Sequence, residues 1–211
     1  MKRSVYYIGV RDLIESTLRS GSLDNSFFSP NRAVEGTHYH QKIQMSVGSN
    51  YRSEVPLSHR FVLRQHSIDI EMRGKADGVF ETDEGAVIDE IKVLFGDARR
   101  VSRDTFPNHW HQAMCYAFMW ASAEKLQQIA IQLTYYFPDT KRTRRIKDFF
   151  TMEELTDFVK PLVERYAERL AFCERWRAQR DASIRELDFP YPSFHKGQKE
   201  LLDRVFASVR D

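Results

Sequence analysis

Residues 85–94 read GAVIDEIKVL, an apolar run that carries Asp89, Glu90 and Lys92 in its middle. Charges inside such a run either do chemistry or cost stability, because a charge taken out of water is expensive unless it is paired. Side chains alternate along a strand, so Glu90 and Lys92 share one face while Asp89 and Ile91 point to the other. The preceding stretch, SIDIEMRGKADGVFE, carries Asp77, and TDEG (82–85) supplies a turn between the two strands. A hairpin of this kind brings Asp77 beside Glu90. Neighbouring carboxylates repel, and burial makes the repulsion worse. A hard divalent cation, Mg2+ or Mn2+, resolves that conflict through oxygen ligands, and water bound to it loses a proton more easily. Lys92, on the Glu90 face, is then placed to orient that water and to stabilise charge on a phosphate. The same three residues also fit a plain Glu90–Lys92 ion pair on a solvated sheet face.

Two further constellations bear on the choice. GTHYH (36–40) ends in His40, whose imidazole suits Mn2+ or can act as a base; a helix histidine can equally be a surface or satisfied core residue. Gln112 and Tyr116 lie four apart on a later helix and so share a face. They offer hydrogen bonds to a nucleic-acid phosphate or base, or they form a polar helix margin. His109 and His111 beside them read as surface positions at the helix start, with lining the site as the alternative.

The elements that must position these residues follow from pattern. Residues 1–9 are apolar and aromatic, of undecided type. RDLIESTLR (11–19) fits a helix, and GSLDNSFF (21–28) a loop. Ser29 as N-cap with Pro30 at the first helical position opens a helix over 29–45, with Gly36 inside it. Strands are predicted over 51–65, 67–81 and 86–93, then a helix over 108–122. QQIAIQLTYYF (127–137) alternates, placing Ile129, Ile131, Leu133, Tyr135 and Phe137 on one face. Thr151 with Glu154 forms a capping box. Pro161 is expected to kink or restart the helix that follows, whose apolar stripe runs through Leu162, Tyr166, Leu170 and Cys173. Helices, a strand block, a helix, a strand and more helices make an α/β or α+β layout with a mixed sheet.

Composition bounds the rest. The 211 residues suffice for one well-cored domain with a small appendage; 42% are hydrophobic, 29% are charged, and the net charge is +2. Arg99, Arg100 and Arg103 cluster, as do Lys141, Arg142, Arg144, Arg145 and Lys147. Each cluster reads as a solvated loop, and together they can form the footprint of a phosphate-backbone binder. Cys115 and Cys173 are the two cysteines, too few for an iron–sulfur cluster and without CxxC or Cys/His zinc spacing, and read as buried free thiols. Reduced thiols and the lack of any apolar run of membrane-spanning length predict a cytoplasmic protein with no membrane partner.

In order, GTHYH, GKAD, EIK and QAMCY resemble the motifs of RecB-family nucleases of the PD-(D/E)XK superfamily, GTxxH, GxxD, (D/E)xK and QxxxY. The resemblance spans about residues 29–137. It implies the PD-(D/E)XK fold, a central mixed β-sheet flanked by α-helices, and metal-dependent hydrolysis of DNA. It implies that His40, Asp77 and Glu90, with the Ile91 carbonyl, hold one or two Mg2+ or Mn2+ ions, and that Asp77, Glu90 and Lys92 are catalytic. Gln112 and Tyr116 would position the DNA strand. Glu54 stands where relatives often carry a strand glutamate, and Lys75 where many have arginine. The four cluster-ligating cysteines of many relatives are missing. The tail FPYPSFHKGQKELLDRVF resembles the segment ahead of the Walker A loop in XPD/DinG-type helicases, matching at Phe194, Gly197 and Gln198 but with His195 in place of arginine. No GxxxxGK[ST] is present. The expectation is a nuclease domain over 1–187 and a linker with the start of a helicase over 188–211, acting on single-stranded DNA beside a helicase in cis. Two rivals stand: a catalytically inactive module that guides DNA to the helicase, and a protein-interaction domain with merely solvated charges.

Overall fold

The computed structural model describes residues 4–18, 39–45, 47–48, 50–187 and 191–210. The expected loop over 21–28, the Ser29–Pro30 helix start, Gly36 and the first part of GTHYH lie outside the described residues.

By its internal contacts the chain divides into two compact units, Met1–Leu170 and Ala171–Asp211. In the first, β1 (Ser4–Gly9) leads into α1 (Val10–Leu18). A helical segment, α2 (39–45), follows. Then come β2 (Arg52–Leu63), β3 (Ile68–Thr82), β4 (Gly85–Val93), α3 (Pro107–Glu124), β5 (Gln128–Phe137), β6 (Arg142–Thr151) and α4 (Met152–Arg185). The sheet order is β1-β3-β4-β5-β6, with β2 on the other edge of β3. The β1–β3 and β4–β5 pairs are parallel and the rest antiparallel, so the sheet is mixed. The protein is therefore an α/β fold, a mixed central sheet flanked by helices.

The apolar alternation decides which helix covers which face. Ile88 on β4 and Ile131, Leu133 and Tyr135 on β5 join the main core with α1, α3 and α4. Ile91 points the opposite way and packs with Ile43 of α2 and Tyr136. β5 is thus buried on both faces, and its expected single apolar face is only half of the pattern. That suits a central strand with a parallel neighbour. Helix α3 is buried nearly all round, with Trp110, Ala113, Tyr116, Ala117 and Trp120 inside.

Residues 4–9, undecided from pattern, are a strand, parallel to β3. Three expectations change. The basic run at 141–147, expected as a solvated loop, largely forms β6, paired with β5 from Phe137↔Arg142 to Gln128↔Thr151. Charge hid its period of two: Arg144, Ile146 and Asp148 are half-buried while Thr143, Arg145 and Lys147 are exposed. Helix α4 does not restart at Pro161; its buried face is Leu155, Val159, Leu162, Val163 and Ala167, whereas Tyr166 and Leu170 only border the core. Of the two thiols, Cys115 is buried but Cys173 is only half-buried.

The capping box forms as spaced. The Glu154 carboxylate accepts the Thr151 N–H at 2.8 Å and the Glu154 N–H donates to the Thr151 hydroxyl at 3.2 Å. Thr151→Ala is expected to lower Tm by roughly 2–4 °C; an unchanged Tm in a thermal melt would show that tertiary packing alone holds this end of α4.

In the second unit, the last part of α4 is followed by α5 (Gln198–Arg210). Before α5, the Gln198 side-chain oxygen accepts the His195 N–H at 2.7 Å. Phe194, Leu201 and Phe206 are exposed.

Candidate functional site: a fork between strands

One long strand creates the site. Along one edge β3 pairs first with β1, through Gly9↔Arg73, and then with β4, from Gly78↔Asp89 onward. Residues 74–77 fall between these partners. Past Asp89, β4 continues alongside β5 alone, through Val93↔Tyr136. The sheet therefore forks at Asp77, and the edges of β3 and β4 face each other without a ladder.

Asp77 bridges the fork. Its Oδ2 accepts the Ile91 N–H at 2.7 Å. A strand residue's N–H and C=O lie on the same edge, so the Ile91 carbonyl faces the fork as well. On the other side of β3, Glu54 adopts a left-handed backbone, φ 56°, and drops out of the ladder between Ser53↔Gly78 and Val55↔Ala76. Strain of this kind costs about 1–3 kcal/mol. The break frees the Asp77 carbonyl, which accepts the Gln44 amide at 2.9 Å. The same amide reaches Glu54 Oε1 at 3.2 Å, and Glu54 pairs with Lys75. Gln44 lies one helical turn after His40, so the contact that seats α2 also aims the imidazole. His40 Nδ1 stands 3.5 Å from Asp77 Oδ1.

Glu90 is 1% exposed. Lys92 Nζ donates to its Oε1 at 2.5 Å, and its Oε2 is buried with no hydrogen-bond partner among the described residues. Burial raises the Glu90 pKa to about 7; Lys92 opposes the shift and Asp77 reinforces it. Lys92 also donates to Gln112 Oε1 at 3.2 Å, and Gln112 in turn donates to the Tyr116 hydroxyl at 3.2 Å. The Tyr116 ring fills the space where a side chain at Gly74 would begin: a β-carbon there would lie 2.5 Å from the ring. The glycine thus lets α3 press the Gln112–Tyr116 pair against the fork.

Asp89 is different. On the α2 face and fully buried, it accepts from Thr134 at 2.6 Å, Tyr51 at 3.0 Å and Gln132 at 3.1 Å. Burial still raises its pKa. It ties β4 to β5 and to the segment entering β2, and presents no spare oxygen to a ligand.

Each residue expected at the site, His40, Asp77, Glu90, Ile91, Lys92, Gln112 and Tyr116, lies at or beside the fork. They do not form a finished cage: among the described residues no group of three or more His, Cys, Asp and Glu side chains is arranged to hold a metal ion as it stands. Asp77 Oδ2 is turned onto Ile91 and Glu90 Oε1 onto Lys92. Asp77 Oδ1 and Glu90 Oε2, with the imidazole, are the remaining donors, and hard oxygens with one imidazole suit Mg2+ or Mn2+.

Sequence reading missed Tyr51, Gln44 and Tyr135, which carry no motif of their own. It read His109 as a surface position, with lining the site as the alternative. In the fold His109 is half-buried, stacked on Phe106 with ring centres 4.9 Å apart. Its Nδ1 lies 3.3 Å from the Tyr135 hydroxyl. Burial, aided by the Lys92 charge, pushes its pKa down to about 4. His111 is half-buried too, stacked on Phe158 at 5.1 Å.

No helix among the described residues is long and apolar enough to cross a membrane. No family model matches the chain, and no curated protein matches it. Among solved structures, one titled "Crystal structure of SSO0001" is similar, with 16% sequence identity over 78% of each chain and a TM-score of 0.48. The architecture is the one the strand pairing defines: α/β, a mixed sheet between helices, forked at Asp77.

Proposed function

We propose that the fork is the active site of a metal-dependent deoxyribonuclease of the RecB-like PD-(D/E)XK type. The observation that carries this reading is the buried Glu90 Oε2, without a partner among the described residues, beside Asp77 and Lys92 at the gap between β3 and β4. A buried acceptor left without a donor is rare and costly, and it is accounted for when a cation takes it. His40, Asp77, Glu90 and the Ile91 carbonyl would hold that cation. A bound Mg2+ or Mn2+ supplies Lewis acidity at the phosphoryl oxygen and eases deprotonation of water.

The chain's own groups do the rest. Lys92, a cation held between Glu90 and Gln112, orients the attacking water and offsets charge developing on the phosphate. Gln112 and Tyr116, locked to each other, present hydrogen-bonding groups to the strand. Asp77 keeps the two arms of the fork together through Ile91. Single-stranded DNA as substrate, a cytoplasmic setting and a helicase partner following residue 187 belong to the same proposal and rest on the motif resemblance.

The second reading, an inactive module that guides DNA, draws on the direct Glu90–Lys92 pair and on the absence of a finished cage among the described residues. Cleavage of labelled single-stranded DNA with Mn2+ separates the two. The wild type cleaves, and Lys92→Ala and EDTA-treated protein do not. Equal cleavage by wild type and Lys92→Ala overturns the catalytic assignment; DNA binding without any cleavage favours the guiding module.

A further inference from the structure

Beyond the fork, the face of the sheet that carries Glu90 and Lys92 continues across two more strands. Lys92 is in register with Tyr135 on β5, and Tyr135 with Arg144 on β6. Residues in register across neighbouring strands put their side chains on the same face. Lys92, Tyr135 and Arg144 therefore form one row, their backbones about 10 Å apart from first to last. Arg145, the next residue, points to the opposite face.

Arg144 is unusual in this row. It is half-buried, and among the described residues its buried Nε has no hydrogen-bond partner and its guanidinium makes no ion pair. Two arginines of the neighbouring cluster are paired by contrast: Arg99 clasps Asp97 and Arg103 clasps Asp148. A guanidinium carries five donors in a planar fork suited to phosphate, and leaving one of them buried and unused is unfavourable. Between Arg144 and Lys92 stands Tyr135, fully buried under Phe106 and His109, its hydroxyl 3.3 Å from His109 Nδ1. His109 lies in the first turn of α3, which has no acidic residue there and no side-chain cap. That helix start adds partial positive charge on the same side.

We infer that Arg144 forms a second phosphate subsite near Lys92, which holds a phosphodiester of the nucleic-acid strand next to the one at the fork. The inference rests on the nuclease reading and extends it: Arg144 would act in binding and register rather than in bond cleavage.

The test is binding without metal. Anisotropy of a fluorescein-labelled oligothymidylate in EDTA, titrated with the whole chain at several salt concentrations, is measured for the wild type, Arg144→Gln, Arg144→Lys and Arg145→Gln. Arg144→Gln weakens binding about tenfold, the loss of one charge-assisted contact, and flattens the log–log salt dependence by about 0.7. Arg144→Lys keeps the wild-type salt slope, and Arg145→Gln keeps wild-type affinity. Because the Gln variant removes an unpaired charge, its Tm does not fall, so weakened binding is not unfolding. Wild-type affinity in Arg144→Gln, or an equal loss in Arg145→Gln, overturns the subsite while Mn2+-dependent cleavage still stands. A wild type that neither binds nor cleaves the strand removes the nuclease reading, and the subsite with it.

Discussion

At neutral pH the Glu90→Gln protein is expected to unfold at a higher temperature than the wild type while its DNA cleavage falls by about 10²-fold or more. The catalytic loss follows from exchanging an anionic ligand for a neutral amide next to Lys92. The stability gain follows from burial. The Glu90 pKa rises from 4.5 to about 7 in the fold, and the attraction of Lys92 is already within that balance. Between these two values the folded protein holds more protons than the unfolded chain. Stability contributed here is therefore fully present below about pH 4.5, declines as pH rises, and levels off above about pH 7. The total is roughly 3 kcal/mol. Glutamine does not ionise and escapes the decline. Thermal melts in EDTA across this range should show the two proteins converging in acid and separating toward neutral pH. A gap that does not change with pH would mean that Glu90 is ionised throughout.

His109 pulls the other way. Its pKa falls from 6.5 to about 4, with burial as the larger cause, so the unfolded chain takes up a proton first as pH falls. Its contribution is present above about pH 6.5 and is lost on descent toward about pH 4. Over nearly the same window Glu90 and His109 thus have opposite slopes and largely cancel in the wild type. His109→Gln should therefore steepen the loss of stability with rising pH that Glu90 causes.

Gly78→Ala is the second large effect, expected to lower stability by about 3 kcal/mol. Gly78 lies opposite Asp89, and a β-carbon there would fall inside the Tyr51 ring. The ring, stacked on Phe80 at 5.7 Å, must leave its seat, and its hydroxyl then gives up Asp89. A buried carboxylate whose pKa burial already raises is left with Thr134 and Gln132 alone. Tyr51→Phe removes only the hydrogen bond and should cost about half as much. Chemical denaturation of the two variants measures the difference. A Gly78→Ala cost no larger than that of Tyr51→Phe would show that the ring shifts freely and that packing at Gly78 contributes nothing of its own.

Much of this architecture is legible in local pattern. Alternation marks β2 to β5, TDEG marks the β3–β4 turn, and the Thr151–Glu154 spacing marks the start of α4, because these signals depend on backbone sterics and on contacts a few residues apart. The same short-range rule puts Glu90 and Lys92 on one face. Local pattern failed at β6, where charge masked the period, and at β1, whose parallel partner begins 64 residues on, at Ile68.

What the sequence alone determined about this protein is the inventory: which side chains can carry charge, and on which face of which element they stand. Tertiary structure decided their states. Only the fork in the sheet leaves Glu90 Oε2 without a donor while satisfying Asp89 completely, though the two carboxylates are neighbours in the chain. Only the pairing of β5 with β6 brings Arg144 into line with Lys92. The physical reason is range. Periodicity reports which way a side chain points, whereas its protonation and its partners depend on what distant strands and helices bring to that spot and on how much water they exclude.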